Sequence, residues 1–194
     1  MIITHIPEVY EKLTKIFGRL PYCLANGTFI YGGAIRDFLA GKEIEGDLDI
    51  ATPSRNGIHR QVIKNISKIA PNWKPQNTIE AITSYGNNTP ITSVINFENN
   101  KTGKLAQIIQ AKRRSGIIPW TSALDIVERV DIVCCGVAID CWGNVYEVVP
   151  NAIDHCKHGI LVLNKANKQV DKDSEQYRKR IQKFLKRGWK EEDE

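Results

Sequence analysis

The amino-acid sequence predicts a single α/β domain in which one β-sheet is covered by helices. Stretches with helical periodicity alternate along the chain with short apolar stretches typical of strands. Strand candidates joined by Asn- and Gly-rich turns are concentrated in the middle of the chain. The 194 residues suffice for one hydrophobic core, and contents of 42% hydrophobic and 25% charged residues are those of an ordinary soluble globular protein.

The N-terminal stretch predicts a helix, a strand and a second helix. Residues 6–17, "IPEVYEKLTKIF", carry apolar side chains at helical spacing, and residues 27–33, "GTFIYGG", have the composition of a strand. Residues 34–41, "AIRDFLAG", predict a short helix, because Gly41 is a suitable residue for its C-terminal cap.

The central stretch predicts mostly strands. The strand "LDIAT" at residues 48–52 is closed by Pro53, and a helix follows over residues 55–70. Further strands are predicted at residues 77–86, 89–98 and 103–112.

The C-terminal stretch begins with a helix and a hairpin. A helix over residues 121–130 precedes the apolar residues 131–140, which we interpret as a strand that forms a hairpin with residues 144–149. Cys134 and Cys135 would then face opposite sides of that strand.

The last predicted helix lies within residues 173–189 and is strongly basic. Its apolar face comprises Tyr177, Ile181, Phe184 and Leu185. Its basic side chains lie mostly elsewhere: Arg178, Lys179, Lys183, Lys186 and Arg187. This helix either packs on the domain, which its apolar face favours, or presents Arg178, Lys183 and Arg187 to RNA. Residues 112–114, Lys-Arg-Arg, are likewise either a solvated loop or a phosphate contact.

Charge and cysteine content narrow the class of protein. The formal net charge of +5 and a pI near 8.9 suit a protein that meets phosphate, but also many that do not. No apolar stretch reaches the length needed to span a bilayer and the N-terminus lacks a secretory signal, so we expect a cytoplasmic protein without a membrane partner. Five cysteines without C-x-x-C spacing argue against disulfides and a thiolate zinc site.

Residues 29–53, "FIYGGAIRDFLAGKEIEGDLDIATP", carry the strongest chemical signal. A strand that ends in Gly32-Gly33 and turns into a helix presents backbone amides to which phosphate oxygens can bind. Arg36 on the first helical turn adds a positive charge beside the same phosphate. Asp47 and Asp49, on alternate residues of the next strand, are hard oxygen ligands of the kind that Mg²⁺ prefers, and a metal ion would remove their repulsion.

This order of features resembles the head domain of the DNA polymerase β nucleotidyltransferase superfamily. More narrowly, "YGGAIRDFLAG" followed by "DLDIATP" is similar to the signature of the bacterial-type tRNA CCA-adding enzymes and poly(A) polymerases. The resemblance implies the nucleotidyltransferase fold: a mixed β-sheet flanked by helices, here with a short C-terminal helical extension.

Residues 129–150, "RVDIVCCGVAIDCWGNVYEVVP", extend the resemblance. Arg129 and Asp131 match the first arginine and the aspartate of the family's Arg-Arg-Asp segment, which lie near the nucleotide sugar and phosphates in the family. Val130 replaces the second arginine. The family's further threonine and asparagine are replaced by Val133 and Cys135, and the strand that often carries an acid has Gln107 and Gln110 instead. A third metal-binding carboxylate is therefore not evident.

The resemblance covers residues 28–164, so we divide the chain into a head domain at residues 1–164 and a basic C-terminal helix with an acidic tail at residues 165–194. The tRNA enzymes continue into long helical domains that choose the base and hold the RNA. Only about thirty residues follow residue 164, enough for one helix and a tail. We therefore expect a minimal nucleotidyltransferase and not a self-sufficient CCA-adding enzyme.

The resemblance also implies residue roles. Asp47 and Asp49 are the expected catalytic residues and hold Mg²⁺ or Mn²⁺ for two-metal chemistry. Nucleotide binding is expected from Gly32, Gly33, Arg36, Arg129 and Asp131. Asp37 has a structural role in fixing the glycine loop. The nucleoside triphosphate would give its monophosphate to an acceptor hydroxyl and release pyrophosphate.

The acceptor is left open by the sequence. A tRNA-like RNA 3′ end, a protein hydroxyl or a small molecule would present the same oxygen, and the basic composition favours RNA slightly. The alternative to an enzyme is a degenerate module that binds nucleotide or RNA without turnover. The Asp-x-Asp pair favours the enzyme, because in a protein that has lost catalytic activity nothing would offset the repulsion between two neighbouring carboxylates.

Overall fold

A computed structural model of the chain describes residues 2–80, 90–113, 121–167, 171 and 173–192, and its main feature is a mixed β-sheet. The strands are β1 (Ile2–His5), β2 (Phe29–Tyr31), β3 (Leu48–Thr52), β4 (Trp73–Glu80), β5 (Ile91–Asn99), β6 (Leu105–Ala111), β7 (Val137–Ile139) and β8 (Asn144–Glu147). Their order across the sheet is β1-β8-β7-β2-β3-β6-β5-β4. Neighbouring strands are antiparallel, except that β3 and β6 are parallel.

The helices flank this sheet on both faces. They are α1 (Pro7–Phe17), α2 (Gly33–Leu39), α3 (Asn56–Ile69), α4 (Ser122–Glu128), α5 (Ala152–His158) and α6 (Glu175–Lys186). Short 3-10 helices cover Leu20–Cys23 and Val133–Cys135, and a small parallel sheet pairs β9 (Ile160–Leu161) with β10 (Lys190–Glu191). Within the described ranges, no helix combines the length and hydropathy needed to cross a bilayer.

Strand alternation divides the core into two clusters. Ile30 of β2 and Ile50 of β3 belong to the larger cluster, which they share with buried residues of α1, α2, α3, α5 and α6. Phe29 and Ala51, one residue away on the same strands, belong to the smaller cluster, which they share with buried residues of α4. Successive side chains of a strand point to opposite faces of the sheet, so Asp49, next to Ile50, lies on the α4 side.

Most sequence predictions of elements are confirmed, with shifts at the ends. The strand predicted at residues 48–52 is β3, and the helix predicted at residues 6–17 is α1. The short predicted helix ends at Leu39, two residues before Gly41, which adopts a left-handed φ of 65° and supplies the expected cap conformation. Of the strand predicted at residues 77–86, residues 77–80 fall in β4, and residues 81–86 lie outside the described residues.

The prediction of a strand at residues 131–140 is wrong over most of that range. Only Val137–Ile139 form a strand, and Val133–Cys135 form a 3-10 turn, so Cys134 and Cys135 do not face opposite sides of a strand. A continuous apolar stretch carries no period that separates strand from buried turn. The predicted hairpin with residues 144–149 is confirmed by the pairing of β7 with β8. All five cysteines are free thiols, as expected.

Helix α6 packs against the domain. Ile181 and Phe184 are buried in the larger core cluster, and so is Trp189, which follows the helix. The apolar face predicted for residues 173–189 therefore covers the same core as the helices of the head domain.

Candidate active site

The turn between β2 and α2 brings backbone close to a carboxylate. Gly32 precedes α2 with a φ of 72°, a conformation that side chains rarely adopt. A Cβ at this position would lie 3.4 Å from the Asp49 Oδ2 atom. Glycine at position 32 therefore lets the turn lie directly against Asp49.

Asp49 lies at the centre of the sheet. It is opposite Tyr31 on antiparallel β2 and opposite Gln107 on parallel β6. Its carboxylate has no hydrogen bond or ion pair with any residue that the structure describes, although the residue is partly buried. Asp47, two residues earlier, is exposed just before β3 begins. The two carboxylates are close enough to interact, but Asp47 is exposed and does not line the cavity that Asp49 faces.

The environment of Asp49 disfavours its charged form. Burial, and then the nearby Asp47 carboxylate, raises the pKa of Asp49 to about 7, while the positive charges of Arg180 and Arg36 act in the opposite direction. A carboxylate without a partner and with a raised pKa is typical of a site that receives a cation.

A cavity of about 380 Å³ opens beside Asp49. Its polar and charged lining comprises Tyr31, Gly32, Gly33, Asp49, Gln107, Arg129, Asp131, Cys135, Asn167 and Arg180. Five predicted site residues, Gly32, Gly33, Asp49, Arg129 and Asp131, are therefore brought together in one place. Its apolar lining comes from β5, β6 and α4, with Pro90 and Val130 beside them.

Arg36 is not among the residues that line this cavity. Its Nε and Nη2 atoms donate to Asp37 Oδ1 at 2.8 and 2.6 Å, and both side chains are buried. The guanidinium lies over the Phe184 ring of α6, 4.4 Å from the ring centroid. Arg36 and Asp37 thus support the turn from beneath the cavity, and the predicted contact of Arg36 with a triphosphate stays a prediction.

The three predicted RNA-binding side chains lie in different environments. Arg187 donates from Nη2 to Asp37 Oδ2 at 2.8 Å and is only 17% exposed. Lys183 is exposed, and so is Arg178, which lies 3.5 Å from Asp173. Arg187 is thus committed to an internal ion pair, whereas the other two face solvent. Of residues 112–114, predicted as either a solvated loop or a phosphate contact, Arg113 is exposed, Lys112 is partly buried and Arg114 lies outside the described residues.

The carboxylates of Asp47 and Asp49 fit a hard divalent cation only when a substrate supplies further ligands. In the described ranges, no group of three or more His, Cys, Asp or Glu side chains could hold a metal by itself. Gln107 stands beside Asp49 where a third carboxylate would complete such a group. Mg²⁺ is commonly held by one or two carboxylates plus substrate phosphates and water, and Asp47 with the unpartnered Asp49 fits that donor set.

Cys135 and Arg180 are among the cavity residues that were not predicted as site residues. Cys135 accepts from Arg36 Nη1 at 3.5 Å and from Arg180 Nη2 at 3.9 Å. A hydrogen bond from the Cys134 side chain, and then these two guanidinium groups, lower the pKa of the Cys135 thiol against the effect of burial. Arg180 comes from α6, whose basic residues give no sequence signal that separates one arginine from the others.

The raised pKa of Asp49 makes metal-free stability depend on pH. An unfolded aspartate ionises near pH 3.9, so between about pH 4 and 7 only the folded state keeps the Asp49 proton. This stabilisation is fully present below about pH 4 and is lost as the pH rises through 7. With EDTA present, we expect Asp49→Asn to exceed wild type by about 2–4 kcal/mol at pH 8 and by about half of that or less at pH 5. Denaturant unfolding at both pH values measures the difference, with Asp154→Asn as the exposed control, and a difference that does not vary with pH contradicts the raised pKa.

No known protein family and no curated protein matches this sequence. Solved structures of CCA-adding enzymes, in contrast, are similar to it throughout its length. An apo CCA-adding enzyme aligns with 100% of this chain and 44% of its own, at 14% identity and a TM-score of 0.61. A CCA-adding enzyme in complex with ATP aligns with 100% of this chain and 43% of its own, at 16% identity and a TM-score of 0.60.

A tRNA nucleotidyltransferase complexed with a primer tRNA and an incoming ATP analogue is also similar. It aligns with 85% of this chain and 43% of its own, at 18% identity and a TM-score of 0.53. The chain therefore spans less than half the length of the solved structures that it matches. At these identities the likeness establishes the fold, and it confirms the predicted mixed sheet flanked by helices of the nucleotidyltransferase type.

Proposed function

We propose that this chain is a nucleotidyltransferase that transfers a nucleoside monophosphate from a nucleoside triphosphate to an acceptor hydroxyl. One observation carries the proposal: the unpartnered Asp49 carboxylate lies against the Gly32 turn in a cavity that also holds Arg129 and Arg180. The likeness in fold to CCA-adding enzymes, one of them in complex with ATP, supports the same activity.

Residues in and beside the cavity would have separate roles in such a reaction. Asp47 and Asp49 would hold Mg²⁺ or Mn²⁺, which when bound stabilises charge on the phosphates and lowers the pKa of the attacking hydroxyl. The first amides of α2 have no acceptor within the helix, so Gly33 can offer its N–H to a phosphate oxygen. Arg129 adds a guanidinium at the cavity wall, where Asp125 Oδ1 accepts from its Nε at 3.2 Å and fixes its position.

An RNA 3′ end is the acceptor that we propose. The chain has a formal net charge of +5, and the solvent face of α6 carries exposed basic side chains. A solved structure of the same fold holds a primer tRNA with an incoming ATP analogue, which supports the same kind of acceptor here.

A transfer assay tests the proposal. The pure protein is incubated with Mg²⁺, each α-labelled nucleoside triphosphate in turn, and either total RNA or cell lysate. We expect label in RNA that is removed by a 3′ exonuclease, and the Asp49→Asn variant gives the background. Label in protein or in a small molecule would replace RNA as the acceptor, and no transfer with any nucleotide would contradict the enzyme.

The exposed basic residues of α6 give a separate prediction for RNA. Changing Arg178, Lys183 and Lys186 to Gln should weaken RNA binding at every sequence tested and lower the slope of log affinity against log salt by roughly 0.7 per lost contact with single strands. Nucleotide binding should stay the same, because none of the three lines the cavity.

The matched control changes Lys12, Lys15 and Lys68, which are exposed on α1 and α3, to Gln and removes the same charge. Salt-dependent RNA binding of both variants is compared with wild type. An unchanged slope in the α6 variant, or equal losses in both, would exclude α6 as the RNA-binding surface.

A further inference from the structure

Helix α6 sends one basic side chain into the candidate active site. Arg180 lines the cavity together with Gly32, Gly33 and Asp49. Its Nη1 atom lies 3.3 Å from Asp131 Oδ2, and its Nη2 atom lies 3.9 Å from Cys135 Sγ. The side chain remains 46% exposed, so it is anchored at one side and open to the cavity and solvent at the other.

The backbone that carries Arg180 is held firmly in place. The next residue, Ile181, is buried, and so is Phe184 one helical turn further on. After the helix ends, Arg187 pairs with the buried Asp37, and Lys42 Nζ donates to the Arg187 carbonyl at 3.0 Å. The position of Arg180 therefore follows from the packing of α6. Its backbone is already ordered, so ligand binding does not have to supply the conformational entropy of ordering it.

The cavity needs a positive group at this place. Its charged lining in the described part of the chain consists of Asp49, Asp131, Arg129 and Arg180, so the two signs balance. A triphosphate brings more negative charge than one divalent cation neutralises, and the excess must meet guanidinium groups. Arg129 already donates its Nε to Asp125, whereas the Nε of Arg180 has no partner among the described residues.

We propose that Arg180 binds the phosphates of the nucleotide, so that α6 completes the nucleotide site. A planar guanidinium presents donors in a fork that matches phosphate oxygens, and partial desolvation beside the buried Cys135 strengthens such a contact. This inference rests on the proposed function for its ligand. The guanidinium of Arg36, which the sequence suggested for this role, lies over the Phe184 ring and so supports the helix that carries Arg180.

Binding measurements with two probes test the inference. Isothermal titration of wild type and Arg180→Gln uses a nucleoside triphosphate with Mg²⁺ and, separately, inorganic tripolyphosphate. We expect Arg180→Gln to bind both probes at least about tenfold more weakly, the scale of one hydrogen bond to a charged group. Arg60→Gln makes the same change at an exposed position of α3 away from the cavity, and should bind both as wild type does. Arg180→Lys keeps the charge without the fork and should lie between.

The outcomes separate this inference from the proposed function. Equal affinity of Arg180→Gln and wild type for both probes overturns the inference. If that variant also transfers label at an unchanged nucleotide KM, the proposed transferase activity is still supported. Arg180-dependent tripolyphosphate binding without transfer from any nucleotide supports the inference and overturns the transferase. If wild type binds neither probe, both are overturned. The melting temperature of each variant is measured as well. If Arg180→Gln melts at a lower temperature than wild type, the test uses Arg180→Lys, provided that it melts at the wild-type temperature. Weaker binding of the probes by Arg180→Lys then supports the inference, and wild-type binding overturns it.

Discussion

We expect the Asp49→Asn variant to lose nucleotidyl transfer while the domain stays folded. Asp49 is the carboxylate that faces the cavity without a partner in the described residues, so an amide in its place removes an anionic ligand and disturbs no ion pair. We expect the rate to fall by about 10²–10³-fold or more, the scale for removing one group that stabilises charge in a transition state. Asp47→Asn should also lower the rate, because Mg²⁺ would keep only one of its two carboxylates.

The measurement is label transfer at saturating Mg²⁺, with circular dichroism and melting as the test of folding. Asp154→Asn makes the same chemical change at an exposed position of α5, where the carboxylate lies 3.3 Å from His158, and should leave the rate unchanged. Transfer by Asp49→Asn at the wild-type rate would show that the cavity is not where the chemistry occurs.

The second large effect is on stability and concerns Asp37. This fully buried carboxylate accepts from Arg36 through one oxygen and from Arg187 through the other. Asp37→Ala would leave Arg36, 4% exposed, as a buried charge without its counter-ion. We expect the free energy of unfolding to fall by about 3–5 kcal/mol, the usual cost of breaking a buried pair from one side. Urea unfolding measures this loss.

Two variants control for the loss of an aspartate as such. Asp173→Ala removes the exposed partner of Arg178 and should cost no more than about 1 kcal/mol. Replacing Arg36 and Asp37 together with Met and Leu should recover part of the stability, because apolar residues of similar volume can replace a buried pair and Arg187 keeps Glu45, 3.3 Å away, as a partner. Equal costs for Asp37→Ala and Asp173→Ala would mean that the buried network contributes little.

Local pattern predicted much of this molecule. Gly32 and Asp49 are separated by one short helix and one loop between two paired strands, so their proximity follows from strand–helix–strand order and from the side-chain alternation in β3. The pattern of residues 173–189 likewise predicted both α6 and its buried face. Such features depend on neighbours in sequence, where spacing and propensity carry the information.

Features set by distant contacts were missed. Arg36 was assigned to phosphate from its place after the glycines, but its side chain direction is fixed by Phe184 and Asp37. Nothing near Arg180 in sequence indicates that it faces Asp131, because that meeting depends on how α6 docks. Strand β1 was missed for a related reason: its four residues form a strand by pairing with β8, far along the chain.

The shared carboxylate of Asp37 also bears on local unfolding. Arg36 belongs to the helix that begins at the glycine turn, and Arg187 ends the helix that carries Arg180. Opening of α2 removes the Asp37 partner of Arg187, and opening of α6 removes one of the two partners of the buried Asp37. We therefore expect the opening of the two helices to be coupled, so that their backbone amides exchange with solvent largely in a common opening event.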